Sequence, residues 1–177
     1  MKRGEKGIVL LEMLTAISLA TLVMGTATMT TVYMLENNQQ TSDHMAAVFY
    51  AETAGSIISK DVQMAASVVT ENLTSPEILV ATWTEWGYDE DSIYHEVTYS
   101  IEDVSEEIGK LKRVYQDSIG TNDVAIIADC IYSNEDDPDN TTQVSYQDSV
   151  LSIKVGTVIG QAQVVREYKV YCRPNYR

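Results

Sequence analysis

Cations, cysteine, histidine and proline are all scarce in this chain, and each shortage removes a class of function. Only 12 of the 177 residues are Lys or Arg, against 26 Asp or Glu, for a net charge of −14. Three of the cations, Lys2, Arg3 and Lys6, fall in the first seven residues with one acid, Glu5. The rest of the chain keeps nine basic against twenty-five acidic residues, a net −16. Such a surface repels phosphate, which argues against nucleic-acid binding by the bulk of the protein. It suits a face that stays soluble outside the cell.

There are two cysteines, Cys130 and Cys172, and nothing like a CxxC zinc signature. Each sits in an apolar alternation (Val124, Ile126, Ala128, Cys130; Val170, Cys172), so both are expected to point inward. In an exported domain they form either one disulfide or two buried free thiols. Two histidines do not make a catalytic set. His44 lies among polar helix residues and is expected to be solvated. His95 lies in a strand pattern and is expected to be structural. No GxSxG, P-loop, HExxH or GxGxxG occurs. The chain is therefore expected not to be an enzyme.

Proline is absent from the first 75 residues. Ile8–Leu35 is an apolar run with a single charge, Glu12. As a helix it would be about 42 Å long at 1.5 Å per residue, whereas a bilayer core needs about 20 residues. Without proline no proline kink is expected, although Gly25 and Thr26, Thr28, Thr30 and Thr31 soften the run. Lys2, Arg3 and Lys6 set the N-terminus on the cytoplasmic side and the C-terminal part outside. Three readings compete for this segment. A secretory signal peptide would be cut near Gly25-Thr26-Ala27, giving a mature start at Thr28. A plain anchor would leave Glu12 as an unexplained liability. Glu12 weighs against both, since an acid in an apolar helix costs about 2.5–3.5 kcal/mol at the centre and less near the end.

The third reading gives Glu12 a task. Gly7-Ile8-Val9-Leu10-Leu11-Glu12-Met13-Leu14-Thr15-Ala16 resembles the type IV prepilin motif. In that family a short basic leader ends in Gly and is cut on the cytoplasmic side. The new N-terminus is then methylated, and the fifth mature residue is Glu. The resemblance implies cleavage by a prepilin peptidase after Gly7, a mature start at Ile8, and Glu12 as the assembly residue. In the family this glutamate pairs with the terminal amine of a neighbouring subunit, since a buried charge is tolerable only when paired. The sequence departs from the commonest pattern in having Ile8 in place of Phe and Val9 in place of Thr.

Beyond Leu35 no helix breaker intervenes. Ala47, Ala51, Ala54, Ile58, Val62, Ala65 and Val69 repeat every three or four residues, an apolar helix stripe. The helix is expected to continue through residues 36–71, with Asp61 solvated beside the stripe. Asn72–Pro76 ends it. The period then changes to two, and residues 76–177 are expected to form an extracytoplasmic β-rich domain. Ile78–Trp86 and Ile93–Ile101 read as strands joined by the acidic turn Gly87–Ser92. Leu111, Arg113 and Tyr115 alternate in a third. Val124–Ile131 is a strand or short helix. Val150–Val158 and Ala162–Cys172 are the last two strands, near the pivot Gly156–Gly160. The predicted fold is α+β, a long helix (membrane half, then amphipathic half) packed on an antiparallel sheet. Together with Ile57–Ala65, this order is similar to J-type pseudopilins and W-type minor pilins. Trp83, Trp86 and the eleven tyrosines mark either a binding surface or strand packing, and packing is the simpler reading.

Two acidic clusters are calcium candidates. One is Asp89-Glu90-Asp91. The other is Asn134–Asn140, with Asp136, Asp137 and Asp139. EF-hand spacing is absent, so a solvated loop is the simpler reading, and no cofactor is expected. Asn72-Leu73-Thr74 and Asn140-Thr141-Thr142 are chance glycosylation matches. The expected function is a structural minor subunit of a type IV pilus or type II secretion pseudopilus. Its expected partners are other pilin or pseudopilin subunits, the prepilin peptidase and the cytoplasmic membrane. The alternative is a single-pass membrane-anchored adhesin that does not polymerise.

Overall fold

The computed structural model describes residues 5–86, 92–105, 107–134 and 136–172, with side chains from Leu10 onward. Helix α1 (Glu5–Met64) forms because residues 8–63 contain no proline and only Gly25 and Gly55. The chain divides into two units, and α1 contributes to both. Residues up to Ser42 form the first, and Asp43–Arg177 the second.

In the second unit the predicted stripe is the helix's buried face. Ala47, Ala51, Ala54, Ile58 and Val62 are all 1% exposed or less. The small alanines let strands approach closely. The stripe misleads only at its end. Its spacing runs on to Val69, but α1 stops at Met64, not at residue 71. Ala66 N donates to Thr82 O at 2.8 Å, and β1 (Ser67–Val69) joins the sheet. Val68 is buried in place of Val69, because the period has already become two.

The sheet contains β2 (Glu77–Trp86), β3 (Ser92–Asp103), β4 (Ile108–Asp117), β5 (Asn122–Tyr132), β6 (Gln143–Gln147), β7 (Val150–Ile159) and β8 (Ala162–Tyr171). All neighbours are antiparallel, in the order β1-β2-β3-β4-β5-β7-β6, with β8 on β7. This is the expected α+β architecture, a long helix on a curled antiparallel sheet. Its inner face carries Leu79, Ala81, Val97, Tyr99, Leu111, Ile131, Leu151, Ile153 and Val155, all 1% exposed or less. Burying one such Leu or Ile contributes about 1.5–3 kcal/mol.

One open choice is resolved, and three features depart from the sequence reading. Val124–Ile131 is strand, within β5, and not helix. It carries irregularities opposite Gly109–Lys112, and Cys130 adopts φ 62°. An extra residue reverses the alternation. Ala128 and Ile131 are therefore buried while Cys130 is half-exposed, against the inward position expected for it. Strand β6 was not foreseen; it is five residues long and carries only two apolar side chains, Val144 and Tyr146. It joins β7 through Asp148-Ser149, both at positive φ, the conformation of a two-residue hairpin turn. The pivot lies at Gly160 (φ 58°). Gly156 is instead inside β7, where a Cβ would meet Asn140 O at 2.0 Å. The acidic turn Gly87–Asp91, with the calcium candidates Asp89, Glu90 and Asp91, lies outside the described residues.

Candidate functional site

The first unit shows one face to every direction. Each side chain from Leu10 to Ser42 is exposed. Fourteen are large and apolar, from Leu10 (69%) to Leu35 (65%). At roughly 1.5–3 kcal/mol each, their burial is worth on the order of 20–40 kcal/mol. No water-facing role accounts for an apolar surface of that size. The helix is long and apolar enough to cross a membrane.

Its hydroxyls fit an apolar surrounding. Thr15, Ser18, Thr21, Thr26, Thr28, Thr30 and Thr31 each donate to a carbonyl three or four residues back, at 2.8–2.9 Å. A hydroxyl satisfied by its own helix needs no external partner. Glu12 has no such relief. Its side chain is exposed, and among the described residues no cation pairs with it. The backbone at Gly7 and Ile8 is helical.

The second unit holds a polar cluster where the helix meets the sheet. Asp61 is 5% exposed, which overturns the expectation of a solvated residue. Arg113 Nε donates to Asp61 Oδ2 at 2.7 Å, and Nη2 to Oδ1 at 3.3 Å. Tyr99 Oη donates to Oδ2 at 2.5 Å. The hydrogen bonds to Asp61 raise the Arg113 pKa, opposed by burial. Burial, then the Asp61 charge, raises that of Tyr99 well above the usual phenol range. The sequence did hold a signal. Arg113 interrupts the core-facing alternation Leu111–Arg113–Tyr115, and a cation there requires a buried acid.

Further along the same sheet face, Trp83, His95 and Tyr115 stack. Trp83 and His95 centroids are 5.2 Å apart, and His95 and Tyr115 5.9 Å. His95 Nδ1 is 2.8 Å from Tyr115 Oη, while Nε2 lies 3.5 Å from Glu85 Oε2 without hydrogen-bond geometry. The Arg113 guanidinium covers the Tyr115 ring at 5.6 Å. This is packing between strands, as expected for His95 and Trp83. His44 is exposed.

The remaining candidates do not converge. Asp137 accepts from Asn140 Nδ2 at 2.9 and 3.1 Å and from Tyr132 Oη at 3.5 Å, and Asp136 and Asp139 are exposed. Glu135 lies outside the described residues. Among the described residues, no group of three or more His, Cys, Asp or Glu gathers as a metal site. Cys130 and Cys172 are free thiols, not a disulfide. Burial first, then Asp129, raises the Cys130 pKa; burial raises that of Cys172. Comparison with known protein families, characterised proteins and solved structures returns no match to this chain.

Proposed function

We propose that this chain is a structural subunit of the type IV pilin-like class, a minor pilin or pseudopilin that assembles through its N-terminal helix. The observation that carries the reading is the fully exposed apolar surface of Leu10–Leu35 with Glu12 as its one charge. A simple anchor needs the apolar surface but not the acid. An assembling helix needs both, because the new amine at Ile8 and the carboxylate of Glu12 neutralise each other between subunits.

In this reading a prepilin peptidase removes residues 1–7. The chain then waits in the cytoplasmic membrane with its β-rich domain outside, and enters a filament by packing its helix against others. Pilus, secretion and competence machines all use such subunits. N-terminal sequencing of the mature protein tests the proposal directly. A start at Ile8 supports it. A start at Thr28 would assign the segment to a signal peptide and end the reading.

A further inference from the structure

The open edges of the sheet are protected unequally. β8 carries Arg166, Glu167 and Lys169. β1 and β6 carry neither charge nor proline, and they are the only described strands without a charged side chain. Each pairs on one side alone, β1 with β2 and β6 with β7. Charge or proline on an edge discourages a further strand from pairing there, and these two edges have neither.

The hairpin turn fixes which groups of β6 are open. Asp148-Ser149 is a two-residue turn, so Gln147 and Val150 close it as a hydrogen-bonded pair. By alternation Gln143, Ser145 and Gln147 bond to β7, and Val144 and Tyr146 turn their N–H and C=O groups to the open edge. Among the described residues, no turn or loop backbone group bonds to them. Their side chains are half-buried and pack against the core. A recess of about 400 Å³ lies along this edge, lined by Thr70, Glu71, Val144, Ser145, Tyr146 and Gln147. β6 forms one wall, and Thr70 and Glu71, just beyond β1, form the other. The slot thus offers two apolar side chains, open main-chain groups and one charged residue, Glu71.

We infer that this slot receives an extended, neutral or basic peptide segment of a partner protein, which pairs with β6 as an added antiparallel strand. Main-chain bonds to Val144 and Tyr146 supply affinity, and apolar side chains on the segment's inward face meet theirs. Glu71 and the net charge of −14 disfavour an acidic segment. A second copy of the chain is a poorer occupant. It brings the same −14, and a folded sheet has to clear the wall at Thr70 and Glu71, whereas a single strand does not. The inference stands independently of the assembly reading above.

The test uses the full-length protein in non-ionic detergent and a fluorescent probe peptide, acetyl-Lys-Val-Thr-Val-Thr-Val amide, with binding followed by anisotropy. The probe should bind saturably. Opposite residues of an antiparallel pair share a face, so the probe's valines lie opposite Val144 and Tyr146. N-methylation of the valine amides should therefore weaken binding about tenfold or more, and N-methylation of the threonine amides by less than about threefold. Replacing the probe's lysine with glutamate should weaken binding about threefold, and Glu71→Lys should reverse that preference. Val144→Pro removes one open N–H and leaves the β7 ladder intact, so it should lower affinity about tenfold with little change in the urea midpoint. If Val144→Pro unfolds, the two methylated probes decide on the wild type alone. No saturable binding, equal tolerance of both methylated probes, or a charge preference that Glu71→Lys leaves unreversed would each overturn the inference. So would self-association that Val144→Pro abolishes, without probe binding, since it would assign the edge to a second copy.

Discussion

Arg113 of β4 and Asp61 of α1 meet in a two-point ion pair, 2.7 Å at its shorter contact, with the Tyr99 hydroxyl on the same carboxylate. The two residues are 52 apart in sequence. Their pairing fixes the last turn of the helix against the middle of the sheet. Val62, next to Asp61, and Leu111, two residues before Arg113, are fully buried.

Removing one partner of such a pair strands the other. Asp61→Ala should therefore destabilise the folded domain by about 2–4 kcal/mol, toward the low end of a buried pair because Arg113 keeps some solvent contact. Asp61→Asn keeps an acceptor for Tyr99 and should lose less. Urea unfolding midpoints check both values. Equal midpoints for wild type and Asp61→Ala would show that the pair is structurally idle.

The raised pKa of Tyr99 predicts a specific alkaline behaviour. In the unfolded chain the phenol ionises near pH 10, while in the folded domain it stays protonated to higher pH. Its contribution is fully present below about pH 10 and is lost as pH rises above that value. Each such proton steepens the decline by about 1.4 kcal/mol per pH unit. Tyr99→Phe should be less stable at neutral pH but decline less steeply above about pH 10, by one proton's worth. Stability measured against pH in both proteins decides it. Identical slopes would refute the assignment.

Gly55 offers a test of sign. In an exposed helix, Gly→Ala stabilises by about 1 kcal/mol. Here a Cβ would stand 2.1 Å from Tyr168 Cε2, and Tyr168 is half-buried with its hydroxyl donating to Ala51 O at 3.4 Å. Gly55→Ala should instead destabilise by about 1–3 kcal/mol. In a Tyr168→Ala background the same change should become neutral or stabilising. A double-mutant cycle measures the coupling.

Glu12 separates assembly from anchoring. Glu12→Gln keeps the length and the apolar surface of the helix. Cleavage after Gly7 and membrane insertion should persist, and incorporation into filaments should be lost. Fractionation of cells into membrane and sheared-filament pools reads the outcome. Normal filament incorporation of the variant would favour the anchored, non-polymerising alternative.

Much of the fold was legible in the sequence because it rests on local periodicity. The apolar stripe Ala47–Val62 assigned the correct buried face, and the change of period to two beyond it located the strands. The errors arose where one residue alters the period. The helix ends at Met64 without a glycine or proline to mark it, because the bond from Ala66 N to Thr82 O stabilises an extended chain just beyond. At Cys130 an extra residue turns the side chain away from the core. Asp61 was misplaced because a carboxylate beside a helical stripe looks solvated until Arg113 and Tyr99 are seen to arrive from two strands.

By itself the sequence determined the N-terminal segment. Continuous apolarity, the absence of proline and the single acid at Glu12 act along one helix and need no distant partner. Only the tertiary structure decided the polar interior. Asp61, Arg113 and Tyr99 have no relationship in sequence order. Packing of α1 on the paired strands β3 and β4 brings them together, and burial then sets what their charges can do.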